Sequence, residues 1–389
     1  MKILYIVTTA ETARGSLKGQ LDYIQRKGNH KVELISSPGS DLKFVAERED
    51  IQVHPIGMSR EISLFRDALS LLRICWKLLW IRPDIVVAGT PKAGLLGMLA
   101  AFLTFVPRRV YLLKGLRLDT TSGTKRRILA CMEKLASGCA TEVISVSQSL
   151  KGRYVELGLA SKQKIFVLGN GTSNGISATK FCAEKYDTQA VKNLKVEYNI
   201  PVSAPVLGFV GRLVADKGIS ELLECFRFVS EKMPETQLVL VGRHEAGDGI
   251  TDAESRYIRE HENIHELGFR SDVESIYALM DVFLFPSQRE GFPKAPLEAG
   301  LMRVPTVAFD AVGSVDAVQD KRTGFIVPAG DQGAFNQKTL AYLQNPEIRK
   351  KHGQAAEEWI LKSFNQEEVW QQYLDWFDGS VETRNYVNV

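Results

Sequence analysis

The stretch that decides the fold is DVFLFPSQREGFPKAPLEAG, residues 281–300. Val282 to Phe285 form an apolar run that is too short for a helix and is typical of a buried parallel strand. Pro286 and Ser287 end this strand, a loop rich in Gly and Pro follows, and residues 295–302 are predicted to form a helix. Such a strand–loop–helix unit offers an anion site, because the free N–H groups and the dipole at a helix N-terminus favour negative charge.

Two glutamates belong to this unit. Glu290 lies on the loop and Glu298 in the first turns of the helix, with seven residues between them. Carboxylates accept hydrogen bonds from hydroxyl groups while backbone N–H groups meet phosphate, so the pattern suits a nucleotide sugar. The alternative is an ordinary loop with one exposed Glu and one on a solvated helix face, because paired Glu at this spacing is common.

The composition is that of an ordinary globular protein. Its 389 residues suffice for two or three domains, and 44% of them are hydrophobic. A net charge of +3 is too weak to indicate nucleic-acid binding, although clustered cations would suit an anionic ligand or membrane surface. The five cysteines form no C-x-x-C pair and are expected to be reduced, mostly buried thiols of a cytosolic protein.

The N-terminus and the longest apolar run bear on location. The chain begins directly with a predicted strand, KILYIVT, which leaves no room for a signal peptide. The run 93–106 is interrupted by glycines and is too short to span a bilayer. We therefore expect a cytoplasmic protein, either soluble or peripheral on the inner face of the cell membrane.

Short apolar runs alternate with helical patterns along the chain, which predicts two α/β domains with doubly wound parallel sheets. The predicted strands are 3–7, 32–35, 53–56, 85–87, 110–113, 143–146, 165–168, 206–210, 238–241, 265–267, 282–285, 306–308 and 324–327. The predicted helices are 17–27, 62–80, 92–105, 124–137, 147–157, 217–232, 252–261, 271–279, 295–302, 333–344, 347–362 and 365–378.

Residues 171–200 lose this alternation and become polar, so we place an interdomain linker there. The predicted domains are Rossmann-like and comprise residues 1–200 and 201–364. Two such domains are expected to face each other across a cleft lined by the carboxyl ends of their strands.

A second candidate element is GRLVADKG, residues 211–218, between the first strand of the second domain and its first helix. Arg212 leaves the strand and Lys217 lies at the helix start, so both side chains can reach one phosphate-sized anion. The alternative is that Lys217 is solvated and Arg212 pairs with Asp216.

These motifs together resemble the retaining GT-B glycosyltransferases of the family 4 type. EGFPKAPLE, residues 290–298, is similar to the Glu-x7-Glu motif of that family, and GRLVADKG is similar to its diphosphate-binding segment. The resemblance continues through GFRSDVESIYALMDVFLFPS, residues 268–287, and covers nearly the whole chain. It extends to bacterial capsule and lipopolysaccharide sugar transferases.

The resemblance implies a role for each motif residue. Glu290 would face the donor sugar, Glu298 would hold the nucleotide ribose, and Arg212 and Lys217 would stabilise the leaving diphosphate. The nucleotide-sugar site would also include Gly291, Phe292, Pro293 and Lys294, and Gly268, Phe269 and Arg270 on a loop over the base.

The implied reaction transfers a hexosyl or N-acetylhexosaminyl group from a nucleotide diphosphate sugar to a saccharide hydroxyl, with retention at the anomeric carbon. A UDP-sugar is the expected donor. The expected acceptor is a polyprenyl-diphosphate-linked glycan of surface polysaccharide biosynthesis.

No cofactor is expected. No two Asp residues of the sequence are separated by a single residue, so the Asp-x-Asp metal site of the other major glycosyltransferase fold is missing. Positively charged side chains can neutralise a leaving diphosphate without a metal, which predicts turnover that is independent of divalent cations. His261 and His265 have a spacing compatible with a metal site, but His265 falls in a predicted strand.

In the first domain, TPKAGLLGMLAA (90–101) and YLLKGLRLDTTSG (111–123) are similar to segments of the bacterial transferases. Both place basic or glycine residues at predicted strand ends. Lys92, Lys114 and Arg117 are therefore the acceptor-side candidates. Two features that are common in the family differ here. The first loop lacks paired glycines, and the later strand that often ends in a His does not do so in this chain.

Two helices bear on partners and architecture. ISLFRDALSLLRICWKLLW, residues 62–80, combines an apolar face with cations and two tryptophans, which suits an anionic bilayer surface. The alternative is a core-packing helix with solvated cations. The segment 365–389 begins with an aromatic helix, similar in position to the GT-B helix that crosses back onto the first domain; the alternative is a terminal helix on its own domain.

Two other functions are compatible with the same fold. A GT-B sugar-nucleotide epimerase would need acid–base residues that the sequence does not identify. A non-catalytic sugar-nucleotide-binding subunit would lose motif residues, whereas this chain keeps Arg212, Lys217, Glu290 and Glu298.

Overall fold

Val282–Phe285, the apolar run of the quoted stretch, forms a buried strand in the computed structural model, which describes residues 1–59, 63–245 and 249–379. Each strand predicted from the sequence is present, with its ends within two residues of the predicted ones. The chain divides into two compact units. Unit 1 comprises Met1–Gly175 and the C-terminal segment from Gln366, and unit 2 comprises Ile176–Asn365.

Unit 1 is a parallel sheet with helices packed on it. Its strands are β1 (Lys2–Ile6), β2 (Lys31–Ser36), β3 (Gln52–Pro55), β4 (Ile85–Gly89), β5 (Arg108–Leu113), β6 (Glu142–Ser145) and β7 (Ile165–Val167). Its helices are α1 (Ala10–Ser16), α2 (Gln20–Gly28), α3 (Ser40–Glu49), α4 (Leu64–Ile81), α5 (Pro91–Leu103), α6 (Gly123–Cys139), α7 (Gln148–Glu156) and α16 (Gln366–Phe377).

Unit 2 repeats this organisation. Its strands are β8 (Val206–Val210), β9 (Gln237–Val241), β10 (Ile264–Glu266), β11 (Val282–Phe285), β12 (Thr306–Phe309) and β13 (Gly324–Val327). Its helices are α8 (Thr188–Glu197), α9 (Ile219–Ser230), α10 (Asp252–Glu260), α11 (Val273–Tyr277), α12 (Ala295–Leu301), α13 (Ser314–Ala317), α14 (Gln332–Gln344) and α15 (Pro346–Ser363).

Both sheets are doubly wound. The strand order is β3-β2-β1-β4-β5-β6-β7 in unit 1 and β10-β9-β8-β11-β12-β13 in unit 2, with parallel pairing throughout. The central strands are buried on both sides, and this explains their continuous apolar sequences. The predicted α/β class with two Rossmann-like domains is confirmed.

The segment 171–200, predicted to be a linker, contains helix α8. The Asp187 side chain caps this helix by accepting a hydrogen bond from the Ala190 N–H at 2.8 Å. Leu194 and Tyr198 pack against the core of unit 2, and Ile200 belongs to that core. The compact units therefore divide after Gly175 rather than near residue 200. The sequence does not indicate this boundary, because the few apolar residues of the segment are scattered among polar ones.

Helix α16 packs in unit 1. The Trp376 side chain is buried, and the Arg108 guanidinium lies 4.0 Å from the centroid of its ring. The Trp370 indole Nε1 donates a hydrogen bond to Asn174 Oδ1 at 2.5 Å. The sequence predicted a return to the first domain for the segment 365–389; residues 380–389 of that segment lie outside the described residues.

Helix α4 is apolar on two opposite sides. One side, with Ile74, Leu78 and Ile81, is buried in unit 1, while Trp76 and Trp80 on the other side are 70% and 64% exposed. The helix thus packs in the core with exposed cations, as one of the two alternatives predicts, but its outer side also exposes large apolar side chains. Within the described part of the chain, no helix is long and apolar enough to cross a membrane.

The described cysteines are all free thiols. Their burial differs from the expectation, because only Cys139 and Cys225 are buried while Cys131 is exposed.

Candidate functional site

The carboxyl ends of β8 and β11 lie side by side in unit 2. The chain winds outward through β9 and β10 on one side and through β12 and β13 on the other, so the direction reverses between β8 and β11. Ligands of doubly wound sheets bind outside the strand ends at such a switch point. An open pocket of about 220 Å³ lies here. It is lined by Phe209, Val210, Gly211, Arg212, Lys217, Phe285, Glu290, Pro293, Lys294 and Ala295.

Arg212 and Lys217 reach this pocket from the loop that joins β8 to α9. Arg212 Nη1 lies 2.6 Å from Glu245 Oε2, and about half of each side chain is exposed. The predicted alternative partner of Arg212, Asp216, instead contacts Arg289 Nη2 at 2.8 Å. Arg212 is thus an accessible cation held at the pocket by a carboxylate that an anionic ligand can displace.

The Lys217 ammonium forms an ion pair with Glu290 Oε1. Both side chains are largely shielded, at 15% and 14% exposure, so the sequence alternative of a solvated Lys217 is wrong. The same Glu290 oxygen accepts a hydrogen bond from Ser287 Oγ at 2.8 Å. These contacts fix the orientation of the carboxylate, and they place one cation and one anion of the motif at adjacent points of the pocket wall.

Close backbone approaches hold the loops of the pocket together. Gly218 has a left-handed φ of 74°, and a Cβ there would lie 2.1 Å from the Pro286 carbonyl oxygen. Gly313, in the loop after β12, also has a positive φ, and its Cβ would lie 2.8 Å from the Gly291 carbonyl oxygen. Glu290 N–H donates to the Val312 carbonyl at 3.1 Å. Only glycine fits at the two contact points, so the three loops form one packed assembly.

Asp216 and Arg289 connect the same two loops through side chains. Arg289 Nη2 lies 2.8 Å from Asp216 Oδ2, and the Gln288 N–H donates to the Asp216 carbonyl at 3.1 Å. Asp216 directly precedes Lys217, and Arg289 directly precedes Glu290. The ion pair of Asp216 with Arg289 therefore fixes the separation of Lys217 and Glu290.

Glu298 lies in the first turn of α12, where Tyr277 Oη donates a hydrogen bond to its Oε2 at 3.1 Å. Burial raises the pKa of the Glu298 carboxyl above its usual value, while the charge of Lys294 and the hydrogen bond from Tyr277 oppose this effect. Burial likewise lowers the pKa of the Lys294 ammonium, and Glu298 opposes that shift. The arrangement leaves a carboxylate acceptor at the helix N-terminus, where α12 favours an anion.

The loop between β10 and α11 carries the predicted base-side residues. Gly268 has a left-handed φ of 63° and its carbonyl accepts a hydrogen bond from Gly242 N–H at 2.9 Å. The Phe269 ring is 64% exposed, with the Arg243 guanidinium 4.2 Å from its centroid. Arg270 forms a two-point contact with Asp272, at 3.0 and 2.7 Å. These residues follow β10, which lies two strands from β8 in the sheet, and none of them lines the pocket described above.

The predicted acceptor-side residues belong to unit 1. Lys92 is buried, and its ammonium lies 2.8 Å from Asp67 Oδ1, which ties α5 to α4. Lys114 Nζ lies 3.2 Å from Ser16 Oγ, beyond the carboxyl end of β5. Arg117 is exposed in a short 3-10 turn. Their functional roles stay predictions.

Among the described residues, no group of three or more His, Cys, Asp or Glu side chains is arranged to hold a metal ion. His261 packs against the rings of Phe226 and Tyr257, and His265 Nε2 lies 2.8 Å from Gln237 Oε1.

Several residues of the site were not identified from the sequence. Ser287 was interpreted only as the end of a strand, and Arg289 was not assigned a role, although both lie inside the quoted stretch. Tyr277 precedes Glu298 by 21 residues and Glu245 follows Arg212 by 33, so no local pattern indicates these pairs. Tyr277 and Glu298 lie on the helices before and after β11, and Arg212 and Glu245 follow the paired strands β8 and β9, so the fold brings each pair together.

Comparisons with known proteins find related sequences and folds over most of the chain. The family model described as "Glycosyl transferase 4-like domain" matches residues 21–171, and that described as "Glycosyl transferases group 1" matches residues 191–359. The capsular polysaccharide biosynthesis glycosyltransferase CapM of Staphylococcus aureus is 35% identical over 371 residues, which are 95% of each chain.

Two further proteins are similar over most of the chain. The UDP-Gal:alpha-D-GlcNAc-diphosphoundecaprenol alpha-1,3-galactosyltransferase of Escherichia coli is 28% identical over 330 residues, 81% of this chain and 83% of that one. The crystal structure of Anabaena HepE in complex with UDP-glucose has a TM-score of 0.79 and 20% sequence identity. It covers 98% of this chain and all of its own, and this likeness confirms the predicted fold.

Proposed function

Because the chain belongs to the family 4-like, group 1 glycosyltransferases, we propose that it transfers a sugar from a UDP-sugar to a polyprenyl-diphosphate-linked saccharide, with retention at the anomeric carbon. The observation that carries the donor side is the pocket at the switch point of unit 2, where Arg212, Lys217 and Glu290 meet. Such a pocket presents cations to a diphosphate and a carboxylate to a sugar.

The lining charges suggest how the donor would react. As the bond between the sugar and the diphosphate breaks, negative charge grows on the leaving phosphate and positive charge on the anomeric carbon. Arg212 and Lys217 would stabilise the phosphate, and Glu290 would orient the sugar and stabilise the positive charge. A hydroxyl oxygen of the acceptor then bonds to the anomeric carbon, and its proton leaves with the phosphate or solvent.

The ion pair of Lys217 with Glu290 implies that donor binding rearranges charge. In the ion pair each group neutralises the other. A bound diphosphate competes for the ammonium and releases the carboxylate toward the sugar. The carboxylate would thus become available only when a donor is present.

The relatives support the acceptor side of the proposal. The E. coli relative is named for a diphosphoundecaprenol-linked acceptor, and the S. aureus relative for capsular polysaccharide biosynthesis. We accordingly propose a role in surface polysaccharide biosynthesis at the cytoplasmic face of the membrane, where such an acceptor is held. The galactosyl group of the E. coli enzyme suggests a hexose donor.

An assay of nucleotide release tests the proposed reaction. We expect the purified protein to release UDP from a UDP-sugar when a short-chain polyprenyl-diphosphate saccharide is present, and to continue when excess EDTA is added. A thermal-shift series with UDP-, GDP- and ADP-sugars identifies the donor, since the correct one stabilises the fold by mass action.

The controls separate the alternatives. Conversion of the UDP-sugar to an isomer without acceptor would indicate an epimerase, and donor binding without any turnover would indicate a binding subunit. Activity that disappears with EDTA and returns with Mn²⁺ would overturn the proposal that Arg212 and Lys217 replace a metal.

We expect the affinity for UDP to fall as the pH falls through the raised pKa of Glu298. Above this pKa the carboxylate accepts hydrogen bonds from ribose hydroxyls, and below it the protonated group loses part of this capacity. Since burial raises the pKa, the loss begins at a higher pH than for an ordinary glutamate. Calorimetric titration with UDP at neutral and mildly acidic pH measures the effect.

The matched control is Glu298→Gln, which cannot ionise but keeps the shape of the side chain. Its residual pH dependence reports protonation of the UDP phosphate alone. If wild type and Glu298→Gln showed the same pH profile, Glu298 would not be the ribose-binding group.

A further inference from the structure

Helix α4 carries an apolar stripe on the side opposite to its core contacts. The stripe follows a helical spacing, with Phe65, Leu69, Leu72, Trp76 and Leu79 at i, i+4, i+7, i+11 and i+14. Phe65 is 83% exposed and Leu72 is 67% exposed. Seven large apolar residues of this one helix face solvent: Leu64, Phe65, Leu69, Leu72, Trp76, Leu79 and Trp80. Scattered single residues of this kind are normal, whereas a contiguous patch marks an interaction surface.

Cations border the stripe along one side. Arg66, Arg73 and Lys77 are spaced at i, i+7 and i+11, so they lie in one row beside the apolar residues. Arg66 and Arg73 are exposed, and Lys77 Nζ lies 4.1 Å from the centroid of the Trp80 ring. We call the exposed apolar residues of α4 together with Arg66, Arg73 and Lys77 the α4 face.

The end of helix α5 carries a second group of exposed apolar side chains. Phe102, Leu103 and Phe105 are exposed, Phe105 at 88%. Helix α4 leads into β4 and helix α5 into β5, and these strands are neighbours in the parallel sheet. Both helices therefore end at the amino edge of the sheet, beside each other.

We propose that the α4 face docks the protein on an anionic lipid bilayer, with α4 lying flat in the headgroup region. The apolar stripe would enter the boundary of the acyl chains, while the row of cations would meet anionic headgroups. Trp76 and Trp80 suit this position because the indole ring is amphipathic. An apolar protein partner would explain the stripe alone, whereas an anionic bilayer matches both the stripe and the adjoining row of cations. The inference goes beyond the proposed chemistry, because it uses no residue of the donor pocket.

Binding to vesicles tests this proposal without any sugar substrate. We expect the full chain to bind vesicles of equal parts phosphatidylglycerol and phosphatidylcholine at low ionic strength, and to bind pure phosphatidylcholine vesicles at least about tenfold more weakly. Added salt will weaken the binding, because the charge attraction is screened. The emission of Trp76 and Trp80 will shift to shorter wavelength on binding, and Trp76→Phe with Trp80→Phe will remove this shift.

Charge and apolar variants separate the two contributions. Arg73→Glu with Lys77→Glu is expected to abolish the preference for phosphatidylglycerol, whereas the same charge change at exposed Lys350 and Lys351 of α15 leaves it intact. Leu72→Ser with Leu79→Ser is expected to reduce binding to every vesicle, whereas Leu361→Ser, at another exposed leucine, leaves it unchanged. Unaltered melting curves show that each variant is folded.

Two results would overturn the proposal. One is a wild-type protein that does not bind phosphatidylglycerol vesicles at low salt. The other is a wild-type dimer in solution that dissociates in Leu72→Ser with Leu79→Ser, because the α4 face would then be an interface between two copies of this chain.

Discussion

Glu290→Gln is expected to lower kcat at least about tenfold, equivalent to ~1.4 kcal/mol of transition-state stabilisation, while UDP binds as well as or better than it does to wild type. The neutral amide cannot stabilise positive charge on the donor sugar. It also no longer neutralises Lys217, its ion-pair partner, so this ammonium is freer to meet phosphate. Turnover under saturating donor and calorimetry with UDP measure the two effects separately.

A matched control is Glu347→Gln on the first turn of α15, an exposed position outside the pocket. This variant should retain wild-type turnover and UDP affinity. Near wild-type turnover of Glu290→Gln would show that the carboxylate has no part in the reaction. Weaker UDP binding by the same variant would mean that the ion pair shapes the pocket instead of competing with the ligand.

Lys217→Met is expected to lower kcat/KM on the order of 100-fold, the size of effect found when one group that stabilises developing negative charge is removed. The ammonium lies on the pocket wall, largely shielded from water. In the proposed reaction its charge would act at short range on the leaving diphosphate. Steady-state kinetics over a range of donor concentrations measures the loss. Lys217→Arg retains the charge and should recover part of the rate.

The removal of Lys217 also leaves Glu290 without its cationic partner, so the double variant Lys217→Met with Glu290→Gln is informative. If Lys217 acts on the diphosphate, the double variant stays at least as slow as Lys217→Met. Recovery toward wild-type turnover would mean that the single substitution acts only through an unpaired Glu290.

The strands could be predicted from sequence because each is a short, continuously apolar run between turn residues, as Val206–Val210 and Val282–Phe285 illustrate. Their alternation with helices determines the doubly wound class. Arg212, Lys217 and Glu290 could be grouped because residues at the carboxyl ends of neighbouring parallel strands converge. The structure places these three around one pocket.

The partners of these residues could not be predicted. Whether Arg212 pairs with Asp216 or Glu245 depends on the direction in which each side chain leaves its loop. The positions of these residues along the chain do not determine that direction. The outward side of α4 was ambiguous for a different reason. When both sides of a helix are apolar, the period of 3.6 residues does not indicate which side faces the core.

The glycine contacts among the pocket loops limit how donor specificity can diverge. Gly218 touches the backbone at Pro286, and Gly313 touches it at Gly291, with no room for even a methyl group. A loop lengthened or exchanged alone would lose these contacts, so the three loops would have to be inherited or transplanted as a set. Variation that alters the recognised sugar is therefore expected in the side chains that project into the pocket, while the backbone path stays constant.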